Sequence, residues 1–176
     1  MNGESSVEVK FWRYWLSGLL LLALMIFLNN WLTNGISPWG IRDHQSAGTA
    51  LRVDAMQSAW QVAGVLRLAQ ISIAIDLIYI AVYSFGAYCG GRLFIQETTA
   101  GLKRLGWLIV VAAIILGIAD YIETICQFIQ AAEVRGNDTL ANIAATAQPI
   151  KSLAFLTTFL GIVSGLLLRR IFRSRA

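Results

Sequence analysis

Residues 118–130 read IADYIETICQFIQ, and their reading decides the fold. The stretch continues an apolar run that begins at Leu105, which is the setting of a membrane helix. Yet it carries Asp120, Glu123, Thr124 and Gln127. Spacings of three, four and seven residues put these four side chains on one helical face. A carboxylate at bilayer depth costs ~2.5–3.5 kcal/mol on insertion scales. A face with two of them therefore calls for partners, water or protons.

The rest of the chain has the same apolar character. Of 176 residues 57% are hydrophobic and only 14% charged, and the mean hydropathy is +0.63. A soluble domain of this length carries more charge and interrupts its apolar runs. Four long apolar segments stand out instead, at about 12–31, 66–89, 105–128 and 149–168. Each is near or above the ~20 residues that cross a bilayer. The expected fold is all-α: one antiparallel four-transmembrane-helix bundle filling residues 1–176, with the lipid bilayer as its first partner. The first segment imitates a signal peptide, but Asn29, Asn30 and Trp31 follow it where a small-x-small cleavage site would stand, so an uncleaved span is expected.

The net charge of +4 does not point to nucleic acid, because the basic residues sit at helix ends. Lys10, Arg13, Arg92, Lys103, Arg104, Arg169, Arg170, Arg173 and Arg175 fall on one side of a four-span topology. Arg42, Arg52, Arg67 and Arg135 fall on the other. The richer side is expected to be cytoplasmic, which puts both termini inside the cell inner (plasma) membrane. The tail RRIFRSR (169–175) is suited to anionic lipid.

Between the first two spans lies the one long outer loop. Leu51, Ala55, Ala59 and Ala63 recur at i+4 with Met56 and Trp60 beside them, and Arg52, Asp54, Ser58 and Gln61 fill the opposite face. This predicts an amphipathic helix at about 47–63, with Thr49 as its N-cap, lying at the interface or over the bundle mouth. Residues 131–148 read as a second polar loop turning at 136–138, and Pro149 as the opening of the fourth span. Gly86 with Gly90, and Gly161 with Gly165, suit close helix approach, within the bundle or in a homo-oligomer or larger membrane complex.

In the second span Ser72, Asp76, Tyr79 and Tyr83 share a stripe, and Lys151 opens the fourth. Asp76, Asp120, Glu123 and Lys151 all fall in the outer half of the bundle, and Lys151 is expected to pair with Glu123, Asp120 or both. Tyr79, Tyr83, Thr124 and Gln127 complete the candidate site for an ion, a proton or a small polar ligand. The competing reading makes the cluster a charged network that only fixes helix order in an accessory or structural subunit. A lipid-modifying enzyme is weaker, since no nucleophile–base pair is visible, and no catalytic residue is assigned. No cofactor or metal is expected. His44 is the single histidine, read as a loop residue or local cap, and no cysteine pair stands at ligand spacing. Cys89 and Cys126 fall near opposite ends of their spans and are expected to be free thiols.

The run Asp43–Thr49 (DHQSAGT), then Trp60, Asp76 with Tyr79 and Tyr83, Asp120-x-x-Glu123 and Lys151 resembles a set of small bacterial four-helix membrane proteins of unassigned function. The resemblance covers roughly residues 43–156. It implies the four-span fold and groups these residues together. Thr124 stands where that set carries Asn.

Overall fold

In the computed structural model residues 6–173 are described, and every regular element among them is a helix. In chain order these are α1 (Ser6–Asn29), α2 (Ile41–Gln45), α3 (Ala50–Val62), α4 (Leu66–Ile95), α5 (Ala100–Glu133) and α6 (Asp138–Arg173). The four long ones, α1, α4, α5 and α6, are each long and apolar enough to cross a membrane. Their outward surfaces are hydrocarbon: of the 24 residues of α1 only Phe11 and Gly18 are buried. Leu16, Leu20, Ile26 and Phe27 of that helix are exposed.

One boundary departs from expectation for a clear reason. The loop expected at 131–148 shrinks to residues 134–137, because α6 starts at Asp138 and carries Pro149 inside it. The Asn137 side chain accepts from Leu140 N at 3.1 Å, which caps the new start. Ala141, Ala144 and Ala147 are buried at every third position. Their smallness reads as loop in sequence but is a packing face in three dimensions. Pro149 forfeits one backbone hydrogen bond, a cost that a 36-residue helix absorbs.

The chain divides into two compact units, and each long helix contributes a segment to both. The first unit holds residues 6–19, 81–117 and 151–173 of the described chain. Its core is Phe11, Leu93, Phe94, Ile109 and Ile162. Glycines set the helix spacing here. A Cβ on Gly86 would come 3.0 Å from Trp15 N, and one on Gly90 3.0 Å from the Phe11 ring. Gly91 and Gly106 face each other so closely that a Cβ on either meets the other's carbonyl oxygen, at 2.8 and 2.6 Å. Gly161 abuts Ile109, and Gly165 lies directly against the Phe94 ring. The glycine pairs seen in the sequence thus serve contacts within this unit. Arg169, part of the tail read as lipid-directed, is buried instead and paired with Glu8 and Glu97. The lipid-facing expectation for Arg173 and Arg175 lies outside the described side chains.

The second unit holds residues 20–80 and 118–150. Its apolar core joins Leu32, Trp60 and Ala69, with Ala47, Val53, Met56 and Ala141 alongside. The Trp60 indole N–H donates to the Leu32 carbonyl at 2.8 Å, and Ser37 Oγ donates to the same oxygen at 3.1 Å. Gly40 adopts φ 62°, with Asn29 so close that no side chain would fit. Asn29 Oδ1 accepts from Ile41 N at 2.9 Å and its amide donates to Trp39 O, which ties the end of α1 to the start of α2.

Helix α3 forms where predicted, and the Thr49 side chain caps it by accepting from Arg52 N. Its inward face keeps Met56 and Trp60 of the expected apolar side but is rotated away from Leu51 and Ala55. Val53, Met56, Gln57 and Trp60 are buried, while Leu51 and Ala55 are exposed.

Candidate functional site

Over residues 118–130 of α5 the polar face is buried and the isoleucine face is not. Glu123 and Thr124 are 0% exposed, and Asp120, Gln127 and Gln130 lie within a few per cent of that. Ile118 is 58% exposed, with Ile122, Ile125 and Ile129 beside it also facing outward. From α4 come Asp76 and Tyr79, both buried, and Ser72 one turn away. Tyr79 lies within electrostatic reach of Asp76 and Asp120. The two helices are cross-linked at three levels. Tyr121 donates to Leu77 O at 3.0 Å, Gln70 donates to Ala131 O at 2.8 Å, and Thr124 joins Asp76 between them.

The Thr124 contact is chemically specific. Its Oγ1 lies 3.3 Å from Asp76 Oδ2 and 3.4 Å from Asp120 Oδ1. Both distances are long for an O–H···O bond, so the hydroxyl sits between two carboxylates and is committed to neither. It has one proton to donate. Both contacts are satisfied together when one aspartate is protonated: that acid donates to Oγ1, and Thr124 donates to the other carboxylate.

A neutral layer adjoins the carboxylates. His44, on α2, is 1% exposed and stacks on Trp60 with ring centroids 5.5 Å apart and 26° between planes. Its Nε2 is 3.3 Å from the Gln57 amide of α3, and its Nδ1 is 3.2 Å from the Gln127 amide of α5. The Gln57 nitrogen also donates to the Gln130 carbonyl at 3.2 Å, which can only accept. That assigns the other Gln57 N–H to His44 Nε2 as acceptor. The ring proton then sits on Nδ1, opposite Gln127 Nε2; exchanging the nitrogen and oxygen of that amide, whose Oε1 is otherwise buried without a partner, gives the proton its acceptor. Burial holds the imidazole at a pKa of about 4, below its ordinary 6.5, so it is neutral at physiological pH. Gln57 Oε1 and Ser72 Oγ are buried without a hydrogen-bond partner, which leaves the layer capacity for a further polar group.

The cover over this layer is fastened at the short connection after α5. Asp138 accepts from Ala50 N at 2.7 Å, Asp54 accepts from Gly136 N, and Gln130 Oε1 accepts from Asn137 N at 3.0 Å. Gly136 is required there, because any side chain would run into the Ala50 carbonyl.

Six of the eight residues singled out from sequence meet in this unit: Asp76, Tyr79, Asp120, Glu123, Thr124 and Gln127. Tyr83 and Lys151 belong to the other unit, where Tyr83 packs edge-on against Phe155 and Lys151 is half-buried. His44, Gln57 and Gln130 were missed. Gln130 was legible, since it stands seven residues beyond Glu123 on the same face. His44, expected as a loop residue or cap, is buried; α2 has only five residues and so shows no periodicity that would announce this. Among the described residues no three His, Cys, Asp or Glu side chains are arranged to hold a metal ion. Cys89 and Cys126 are free thiols. No family model, no curated protein and no solved structure matches the chain.

Proposed function

We propose that the chain is a multi-pass membrane protein, an antiparallel four-span bundle, with a buried site in its second unit that takes up a proton or small cation. The observation that carries this reading is the inverted second half of α5, which hides Glu123 and Thr124 and exposes Ile118, Ile122, Ile125 and Ile129. In water the hydrophobic effect drives the opposite arrangement. In hydrocarbon a helix must turn its apolar side chains outward and keep its polar ones inside. The excess of Lys/Arg at the two termini and the middle connection favours cytoplasmic termini in a bacterial inner membrane, and with that orientation the site would lie in the outer half.

Three buried carboxylates at such a depth cannot all stay ionised without a compensating positive charge. The Thr124 bridge favours a proton as part of that charge. It offers a path in which the acid of one aspartate passes its proton to Oγ1 while Thr124 passes its own to the other. The same bridge supports a second reading, in which the cluster only ties α4 to α5 as a structural element.

Infrared difference spectroscopy of the protein in lipid separates the two. A proton site predicts a carboxylic-acid carbonyl band that persists at neutral pH, disappears in Asp76→Asn or Asp120→Asn, and shifts in Thr124→Val but not in Thr124→Ser. Absence of such a band in a folded wild-type protein overturns the proton site and leaves the structural role. Release of the protein from membranes by alkaline carbonate overturns the membrane reading itself.

A further inference from the structure

His44 is the one buried titratable group of the segment between α1 and α4 that the proposed proton site does not use. It joins three elements at once. The ring comes from α2, the Gln57 amide and the Trp60 indole from α3, and the Gln127 amide from α5. We propose that His44 is a pH-operated latch: as the neutral ring it pins α2 and α3 onto the polar face of α5, and protonation releases them.

The geometry makes the latch specific for the neutral ring. An imidazolium carries N–H on both nitrogens and needs two acceptors. Gln127 supplies one when its amide presents the oxygen rather than the nitrogen to Nδ1. Gln57 faces Nε2 with a nitrogen whose orientation is set by the Gln130 carbonyl, so the second proton meets a donor. Turning the Gln57 amide to accept breaks its bond to α5. Either way the link between α3 and α5 is lost. The groups facing the ring from α3 and α5 are neutral amides and an indole. Of the charged groups on α2 and α3, Asp54 is turned to Gly136 N, Asp43 accepts from Trp39 N, and Arg42 and Arg52 are exposed. Glu123 lies one turn from Gln127 along α5. Stacking on Trp60 offsets only part of the cost of a buried imidazolium, and burial alone already depresses the ring's proton affinity.

Release uncovers Gln127 and Gln130, and with them the approach to Glu123 and Thr124. This consequence rests on the proton-site reading above; the latch itself does not. The test is hydrogen exchange of the full chain in lipid nanodiscs between about pH 7.5 and 4.5, corrected for intrinsic exchange rates. Peptides covering residues 41–62 are followed in wild type, His44→Gln and Gln127→Leu. Opening that binds one proton grows about tenfold per pH unit below the ordinary imidazole value of ~6.5. Wild type is expected to show this growth in residues 41–62, His44→Gln to lack it, and Gln127→Leu to be open already at pH 7.5. The His44 ring signal in a 13C NMR titration of wild type serves as the second measurement and does not depend on the variants folding. Equal pH response in wild type and His44→Gln, or a ring that titrates with no change in protection, overturns the latch. Neither outcome bears on the carboxylic-acid band.

Discussion

Arg169 grips the carboxylate of Glu8 at two points, 2.7 Å from Nη1 and 3.1 Å from Nη2, across 161 residues of chain. Its remaining edge, Nε, is 2.6 Å from Glu97. One planar group thereby joins the first turn of α1, the connection after α4 and the last turns of α6, within a single compact unit. A lysine at this position keeps the charge but not the fork.

Arg169→Ala is expected to lower stability by about 2–3 kcal/mol, because it leaves Glu8 and Glu97 facing each other in a site only 10% open at the arginine. Arg169→Lys is expected to lose about 1 kcal/mol. Thermal unfolding in mild detergent reads both, and an Arg169→Ala midpoint equal to wild type would remove the pair from any role in stability.

Two glycine substitutions should act in opposite directions. Gly165→Ala drives a methyl group into the Phe94 ring, and overpacking of that kind costs about 1–3 kcal/mol. Gly101→Ala, in the first turn of α5, meets nothing within 4 Å and is expected to gain up to about 1 kcal/mol of helix propensity. Equal unfolding midpoints for the two variants would contradict the packing described for the first unit.

Val134 closes α5 at φ 52°, a left-handed position where a β-branched side chain is strained. The turn is otherwise well made, with Arg135 N donating back to Gln130 O at 3.1 Å. Val134→Gly is therefore expected to stabilise by about 0.5–1 kcal/mol, the relief of strain exceeding the added freedom of the unfolded chain. A lower melting temperature for Val134→Gly would show that the exposed valine is held there by contacts worth more than its strain.

These targets differ in how visible they were in the sequence. The four long helices and the polar face of α5 follow from periodicity and length, which survive any detail of packing. The Arg169 fork joins residues 161 positions apart, and no spacing rule reports such a meeting. The cover over the polar core was half legible. Thr49 announced the start of α3, and Met56 and Trp60 of the expected apolar side are buried, but the regular Leu51, Ala55, Ala59 and Ala63 stripe drew that side too far round the helix. Met56 and Trp60 fill more interior than three alanines. The run of small residues at 131–148 looked like a loop for the reason it makes a close-packed helix: small side chains suit both.

Stability should fall on acidification in a way that His44 explains. Its folded value of about 4 lies below the 6.5 of the unfolded chain, so between those limits the unfolded state binds a proton that the folded state does not. The contribution is therefore complete above about pH 6.5 and is lost as pH drops toward 4, a change on the order of 3 kcal/mol. Chemical denaturation at several pH values should show a steeper decline for wild type than for His44→Gln. Parallel curves would mean that the ring is already accessible to solvent.

Helix α5 also inverts the ordinary map of mutational tolerance. In the proposed bilayer setting the neighbours of Ile118, Ile122, Ile125 and Ile129 are fluid rather than shaped, so any hydrocarbon side chain should serve and only charge should be rejected. Asp120, Glu123, Thr124 and Gln127 are instead buried, packed among neighbours of fixed shape. A saturation library along this helix would then show a permissive, greasy alphabet on one side and near-invariant polar letters on the other. Descendants of this sequence would be recognisable by the hydrophilic letters long after the hydrophobic ones had drifted.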